Sequence, residues 1–217
     1  MLAPTGTVTL VFTDLRASAG LWSDDATTMR EALTLHDKIM RETLRRFAGY
    51  EVKSEGGSFM LAFQDATAAL QFACAVQMRL IVADWSKELL AHDVASEVRS
   101  AKGRLIFAGL RVSIGMHSGN PDCRIDPTTG RMDYFGPVAN RAARVNAAAH
   151  EGQILISKTV KEACPDFDEA KLNDLGPHRL RGLEGAVHLF EAQASRLSDR
   201  RFPPTLTLDA IRTNLNV

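Results

Sequence analysis

Apolar and polar positions alternate along this chain with two different periods, and the switches between them mark the elements. Residues 7–13, TVTLVFT, are almost wholly β-branched or apolar, follow Pro4 and Gly6, and stop at Asp14, which predicts a buried strand with Asp14 at its C-terminal mouth. From about Asp25 to Phe47 the period lengthens: Met29, Leu33, Ile39, Met40 and Leu44 recur at helical spacing with charges between them, and Gly49 closes the run. YEVKSEGGSFMLAF, residues 50–63, returns to a strand pattern on both sides of Gly56 and Gly57. Alanines and leucines from about Asp65 to Asp84 predict a second helix, residues 85–109 are more irregular and read as an insertion, and LRVSIGMHSG, residues 110–119, restores a strand.

The resulting order, β-α-β-β-α-β, is the ferredoxin-like arrangement of an α+β fold. Beyond it the pattern predicts a strand and helix extension. NRAARVNAAAHEG reads as a short helix from about Asn140, closed by Gly152; QILISKTV reads as a strand running into a further helix; HRLRGLEGAVHLFEA reads as a strand pair around Gly185. From Ser195 the chain turns polar, and Pro203 and Pro204 interrupt any regular element. The expected organisation is one domain over residues 1–194 and a linker or tail over 195–217.

Composition narrows the class without fixing the chemistry. The 217 residues carry 26 basic and 26 acidic side chains, so no overall field draws the chain to nucleic acid or an anionic membrane, and an anionic ligand has to be held locally. Cys74, Cys123 and Cys164 are widely spaced and cannot all pair within one chain, which fits a reducing compartment. No apolar run approaches the roughly 18 residues of a membrane span, and a cytoplasmic, soluble domain is the expectation, whether or not it is part of a larger protein.

Five segments carry the chemistry: FTDLRASAGLW, EVKSEGGSFM, GLRVSIGMHSG, DYFGPVANRAARV and LRGLEGAVHLFEA. In this order and spacing they resemble the catalytic domain of class III nucleotidyl cyclases over roughly residues 5–193. The resemblance is closest to fungal and trypanosomatid-like adenylyl cyclases, through GYEVK, DWSKE and the DYFG motif with its following asparagine and arginine. It implies the cyclisation of ATP to cyclic AMP and pyrophosphate, in which a 3′-hydroxyl attacks the α-phosphorus of its own nucleotide. Two divalent cations, Mg²⁺ or Mn²⁺, would neutralise the developing charge.

The resemblance also assigns roles. Asp14 matches the first metal-binding aspartate, and Leu15 would lend its carbonyl to a metal. The second metal aspartate is expected at the tip of the hairpin, where this chain has Gly57; Glu55 lies two positions back. Lys53 and Asp133 match the pair that reads adenine. Asn140 matches the residue that orients the ribose and Arg144 the one that stabilises the transition state, a task suited to a planar, permanently charged fork. Their i, i+4 spacing puts both on one helix face. The loop Leu15–Gly20 would wrap the phosphates, and Arg181 is a candidate triphosphate contact. Many relatives have an arginine where this chain has Ser113, and Arg111 is the candidate substitute.

Each residue also has an ordinary structural reading. A lone aspartate after a strand is common in turns; Lys53 reads equally as a solvated strand residue, Asp133 as a loop cap and Asn140 as a helix N-cap. His117 is expected to be a core histidine rather than a ligand or base, and Trp22 and Trp85 to be packing residues. Class III cyclases work as head-to-tail dimers. The resemblance implies metal aspartates from one chain and Lys53, Asp133, Asn140 and Arg144 from the other, in a homodimer or in a heterodimer with another cyclase chain. Two functions from different classes follow: an adenylyl cyclase weakened or made partner-dependent by Gly57, and a catalytically silent nucleotide-binding or dimerisation domain.

Overall fold

The computed structural model describes residues 2–15 and 18–207. The strands are β1 (Val8–Asp14), β2 (Tyr50–Glu55), β3 (Ser58–Phe63), β4 (Val98–Arg99), β5 (Leu105–Phe107), β6 (Ser113–Gly119), β7 (Asp122–Ile125), β8 (Met132–Phe135), β9 (Ile154–Ser157), β10 (Ala170–His178) and β11 (Val187–Ala194). The helices are α1 (Ser18–Asp24), α2 (Ala26–Arg46), α3 (Ala66–Ile81), α4 (Lys87–Leu90), α5 (Pro137–Ala148) and α6 (Lys158–Ala163).

One seven-stranded sheet, in the order β10-β11-β9-β6-β1-β3-β2, organises the molecule. Its β6-β1-β3-β2 part is antiparallel throughout, which is the ferredoxin-like core expected from the sequence. β9 joins β6 in parallel and β11 pairs with β9, so the extension continues the same sheet.

Strand alternation sorts the core onto two faces. Val11, Phe59, Leu61, Phe63, Ile114 and Met116 pack with α2 and α3. Val8, Leu10, Met60 and Ala62 face the other way and pack with Tyr134 of β8 and Ala139 and Ala142 of α5. α2 starts where Asp25 caps it, its carboxylate accepting from Thr27 N and Thr28 N, and α3 starts in the same way at Asp65.

Three local expectations shift. α5 begins at Pro137, one turn before Asn140, after Gly136 at φ 85°; Asn140 therefore sits inside the helix and its N–H donates to Gly136 O. Proline fits this first helical position because no intrahelical acceptor awaits an N–H there. The strand that pairs with β11 is Ala170–His178, upstream of the expected place, and the residues around Gly182 and Gly185 form the connection. The β7–β8 hairpin was not legible: its turn is tied by Asp126, which accepts from Thr128 N, Thr129 N and Thr129 Oγ1.

The 85–109 insertion is ordered around Trp85, whose Nε1–H donates to Leu80 O. Trp85 is buried as a packing residue, whereas Trp22 is 37% exposed. Residues 195–207 run along the domain surface, with Arg200, Thr205 and Thr207 buried; residues 208–217, the rest of the expected tail, lie outside the described residues.

Candidate active site

Asp14 ends β1 directly opposite Ser113 of β6, and residues opposed across an antiparallel ladder share a face. By alternation this is the face of Val8 and Leu10, the one that α5 covers. The Asp14 carboxylate accepts from Leu15 N at 2.9 Å and from Ser58 Oγ at 2.8 Å, and Ser113 Oγ donates to Asp14 O at 3.3 Å. Ser58, the first residue after the double glycine, was not singled out in the sequence. Its position beside Gly57 was the available signal.

The hairpin tip explains the two glycines. Glu55 opposes Ser58, so Gly56 and Gly57 form a two-residue loop, with φ of 56° and 87°. Positive φ at both central positions is what a type I′ turn requires, and glycine adopts it without steric cost. A Cβ on Gly57 would stand 2.6 Å from Leu15 Cδ1 and 2.8 Å from Leu33 Cδ1. Apolar methyl groups thus cover the place where the second metal carboxylate was expected. Among the described residues no cluster of three His, Cys, Asp or Glu side chains could hold a metal. One carboxylate, a serine hydroxyl and leucine methyl groups do not fit a pair of hard divalent cations, which take several oxygen ligands each.

Lys53 is aimed by an irregularity. Glu51 opposes Leu61 and Lys53 opposes Met60, so the register shifts between them. Glu51 meets Arg41 of α2, and Lys53, past the bulge, turns to the face of Met60, the face of Asp14. A one-residue bulge reverses the alternation and re-aims the side chain. Lys53 Nζ donates to Asp133 Oδ1 at 3.2 Å, and Tyr134 N donates to the same oxygen at 3.0 Å. β8 is held by two tyrosines that sequence reasoning did not single out: Tyr50 OH of β2 accepts from Met132 N at 3.0 Å, and Tyr134 OH donates to Pro4 O, ahead of β1, at 2.7 Å.

Asn140 and Arg144 are exposed on α5, while Ala139, Ala142, Val145 and Ala148 bury the opposite stripe. The Arg144 guanidinium lies 3.7 Å from where a Cβ on Gly182 would stand, so the turn carrying Arg181, itself exposed, adjoins Arg144. Arg111 is not brought to the site. Its Nη2 donates to Ser96 O at 3.2 Å and its guanidinium lies 4.8 Å from the Phe107 ring centre. Of the loop expected to wrap the phosphates, Arg16 and Ala17 lie outside the described residues. His117 is a core residue: Nδ1 is 2.8 Å from Ser157 Oγ and 3.1 Å from Thr159 Oγ1, and burial, followed by the Arg141 charge, lowers its pKa to about 4.

No helix among the described residues is long and apolar enough to cross a membrane. Residues 2–192 match the adenylate and guanylate cyclase catalytic domain. The adenylate cyclase of Mycosarcoma maydis is 48% identical over 157 residues, 72% of this chain and 6% of that protein. That of Neurospora crassa is 42% identical over 182 residues, 79% of this chain and 8% of that protein; the chain thus spans a small part of the length of these relatives. Among solved structures, an adenylate cyclase from Trypanosoma brucei in its monomeric state superimposes with a TM-score of 0.81 at 29% identity, covering 96% of this chain and 97% of the other. The adenylyl cyclase CyaB of P. aeruginosa shares the fold, with a TM-score of 0.72 at 21% identity over 88% of this chain and 95% of its own. With the sheet order, the Lys53–Asp133 pair and the exposed Asn140–Arg144 stripe in place, these likenesses show that the chain belongs to the adenylate and guanylate cyclase catalytic domain family.

Proposed function

We propose that the domain takes part in converting ATP to cyclic AMP and pyrophosphate, as one half of a site shared between two chains. The observation that carries this reading is the Lys53–Asp133 pair. Donor and acceptor lie side by side on the open surface, Lys53 with 63% of its side chain exposed, ready to exchange their mutual bond for the acceptor and donor of an adenine edge. A guanine presents the reverse polarity, and a mismatched base leaves polar groups unpaired as the site closes.

The other residues of this half follow from their chemistry. Asn140 offers a carboxamide that can donate to and accept from ribose oxygens. One turn along the same face, Arg144 can hold two phosphoryl oxygens at once through its fork, and Arg181 on the adjoining turn adds a second positive charge to the triphosphate. All three project outward from α5 and the 179–186 connection, so a facing chain is needed to enclose the nucleotide. The half that would hold divalent cations is poorer in this chain, with Asp14 and Ser58 but only Gly57 at the tip. The reading is therefore a cyclase with weak output as a homodimer and stronger output beside a chain that keeps both carboxylates.

A second reading, a nucleotide-binding domain without turnover, draws on Leu15 and Leu33 over Gly57. Cyclic-nucleotide production with Mn²⁺, which tolerates poorer oxygen sites than Mg²⁺, separates the two. Cyclic AMP above background supports the cyclase. ATP binding with no product at any protein concentration, alone or with a second cyclase chain, supports the silent domain.

A further inference from the structure

The segment after β11 contains a buried cation that touches none of the candidate site residues. Arg200 is 5% exposed. Its Nε donates to Ile106 O at 2.7 Å, and its Nη1 donates to Gln77 Oε1 at 2.7 Å and to Gly152 O at 2.8 Å. The guanidinium lies 4.3 Å from the centre of the Phe107 ring. None of these partners is a carboxylate. Burial, and then the neighbouring Arg111 charge, lower its pKa to about 9. A buried charge without a counter-ion costs more than an apolar side chain of similar volume. What the arginine adds is geometry: one rigid fork fixed at once to the insertion, to α3 and to Gly152, three residues past the α5 cap at Ala149.

Both further connections lead to the candidate active site. Gln77, which accepts from Arg200, donates its Nε2–H to Val112 O at 2.7 Å. The next residue, Ser113, opposes Asp14 in the ladder and bonds its carbonyl. On the other side the same segment closes the end of α5. Leu206 N donates to Ala148 O at 3.0 Å, His150 Nε2 lies 2.9 Å from Pro204 O, and the Phe202 ring stacks on His150 at 10°. Ala148 is one turn beyond Arg144, and its carbonyl belongs to the last turn of a helix, where carbonyls lack partners within the helix.

We infer that Arg200 is a positioning residue for the cyclase reaction, acting through Gln77 on the strand end that carries Asp14 and through the α5 terminus on the helix that carries Asn140 and Arg144. The inference rests on the cyclase reading and extends it to residues that touch no substrate. It also gives residues 197–207 a role in the site rather than that of a spacer.

The test uses the whole chain with Gly57→Asp as the parent. Arg200→Met keeps the stem and removes the fork; Gln77→Leu cuts the route to Val112 and leaves Arg200 its bonds to Ile106 O and Gly152 O; Leu206→Pro removes the donor to Ala148 from an exposed residue. Arg200→Met should lower kcat at least tenfold with KM for ATP within twofold. It should also speed amide hydrogen exchange at both Ile114–Met116 and Val145–Ala149. Gln77→Leu should speed exchange at the first segment alone, and Leu206→Pro at the second alone, which keeps the test open if Arg200→Met fails to fold. Unchanged kcat and unchanged exchange at both segments, with only a lower Tm, would overturn the inference. If the parent makes no cyclic nucleotide, the cyclase reading fails, and the exchange pattern still decides whether the fork couples the two segments.

Discussion

Leu15 leans over Gly57: a Cβ on the glycine would stand 2.6 Å from the leucine Cδ1. The first expected outcome concerns this contact. Gly57→Asp restores the missing carboxylate beside Asp14, against two opposing effects. The φ of 87° costs a non-glycine residue about 1 kcal/mol, and the methyl ends of Leu15 and Leu33 have to rotate away. Aspartate tolerates this backbone region better than most residues, and both obstacles are ends of flexible side chains. Cyclase activity should rise at least about tenfold, equivalent to about 1.4 kcal/mol of barrier. Equal, absent activity in the chain and the variant assayed side by side would show that Gly57 is not the limiting defect.

Base choice should follow the Lys53–Asp133 pair. Replacing Lys53 by glutamate and Asp133 by cysteine exchanges donor and acceptor at the purine edge. The preference of the Gly57→Asp chain should then move from ATP toward GTP. Both side chains are partly exposed, and exposed ion pairs contribute at most about 1 kcal/mol, so Tm should hardly change. An unaltered ATP preference in competition assays would remove the pair from base recognition.

Shared sites predict complementation. Asp14→Ala and Arg144→Ala, each in the Gly57→Asp background, should be silent alone. Mixed, they should recover about a quarter of the parent activity, because about half of randomly paired dimers are mixed and each mixed dimer holds one intact site of two. No recovery, with mixed dimers shown to form by mass spectrometry, would place the whole site within one chain.

His117 makes stability depend on pH. Its pKa falls to about 4 in the fold, below the ordinary histidine value near 6.5 in the unfolded chain. Between these values the unfolded state binds more protons, so stability is full above about pH 6.5 and is lost as pH falls toward 4, by up to about 3 kcal/mol. Denaturant unfolding at pH 7 and pH 4.5 should show a smaller loss in His117→Gln. An identical pH dependence in the two chains would assign the loss elsewhere.

α5 sits directly on β6. A Cβ on Gly115 would meet Asn146 N at 2.1 Å and Asn146 Cα at 2.2 Å, and main chain cannot rotate aside as a side chain can. Gly115→Ala should destabilise the fold by about 3 kcal/mol and lower activity as α5 lifts with Asn140 and Arg144. Thermal unfolding checks the first effect; a Tm within 2 °C of the parent, a shift worth at most about 1 kcal/mol, would show that the helix has room to move.

Elements that announce themselves by period, and residues that stand in unbroken motifs, could be read without the fold. The first core strand, the two long helices and the double-glycine hairpin were legible because alternation, capping and turn chemistry act over a few residues; Asp14, Lys53, Asp133, Asn140 and Arg144 became candidates through the resemblance of their motifs to class III cyclases. Four features took the tertiary structure. The bulge that turns Lys53 to the face of Asp14 depends on how β2 meets β3. The β7–β8 hairpin is placed by Tyr50 and Tyr134 across spans of 82 and 130 residues. Arg111 failed as a substitute at the site because Phe107 and Ser96 hold it. Arg200, in a stretch that reads as a polar linker, became the most deeply set cation of its segment because three acceptors from distant parts of the chain converge on it. Local periodicity carries no record of such convergence; only the packed sheet and its helices bring those partners to one point.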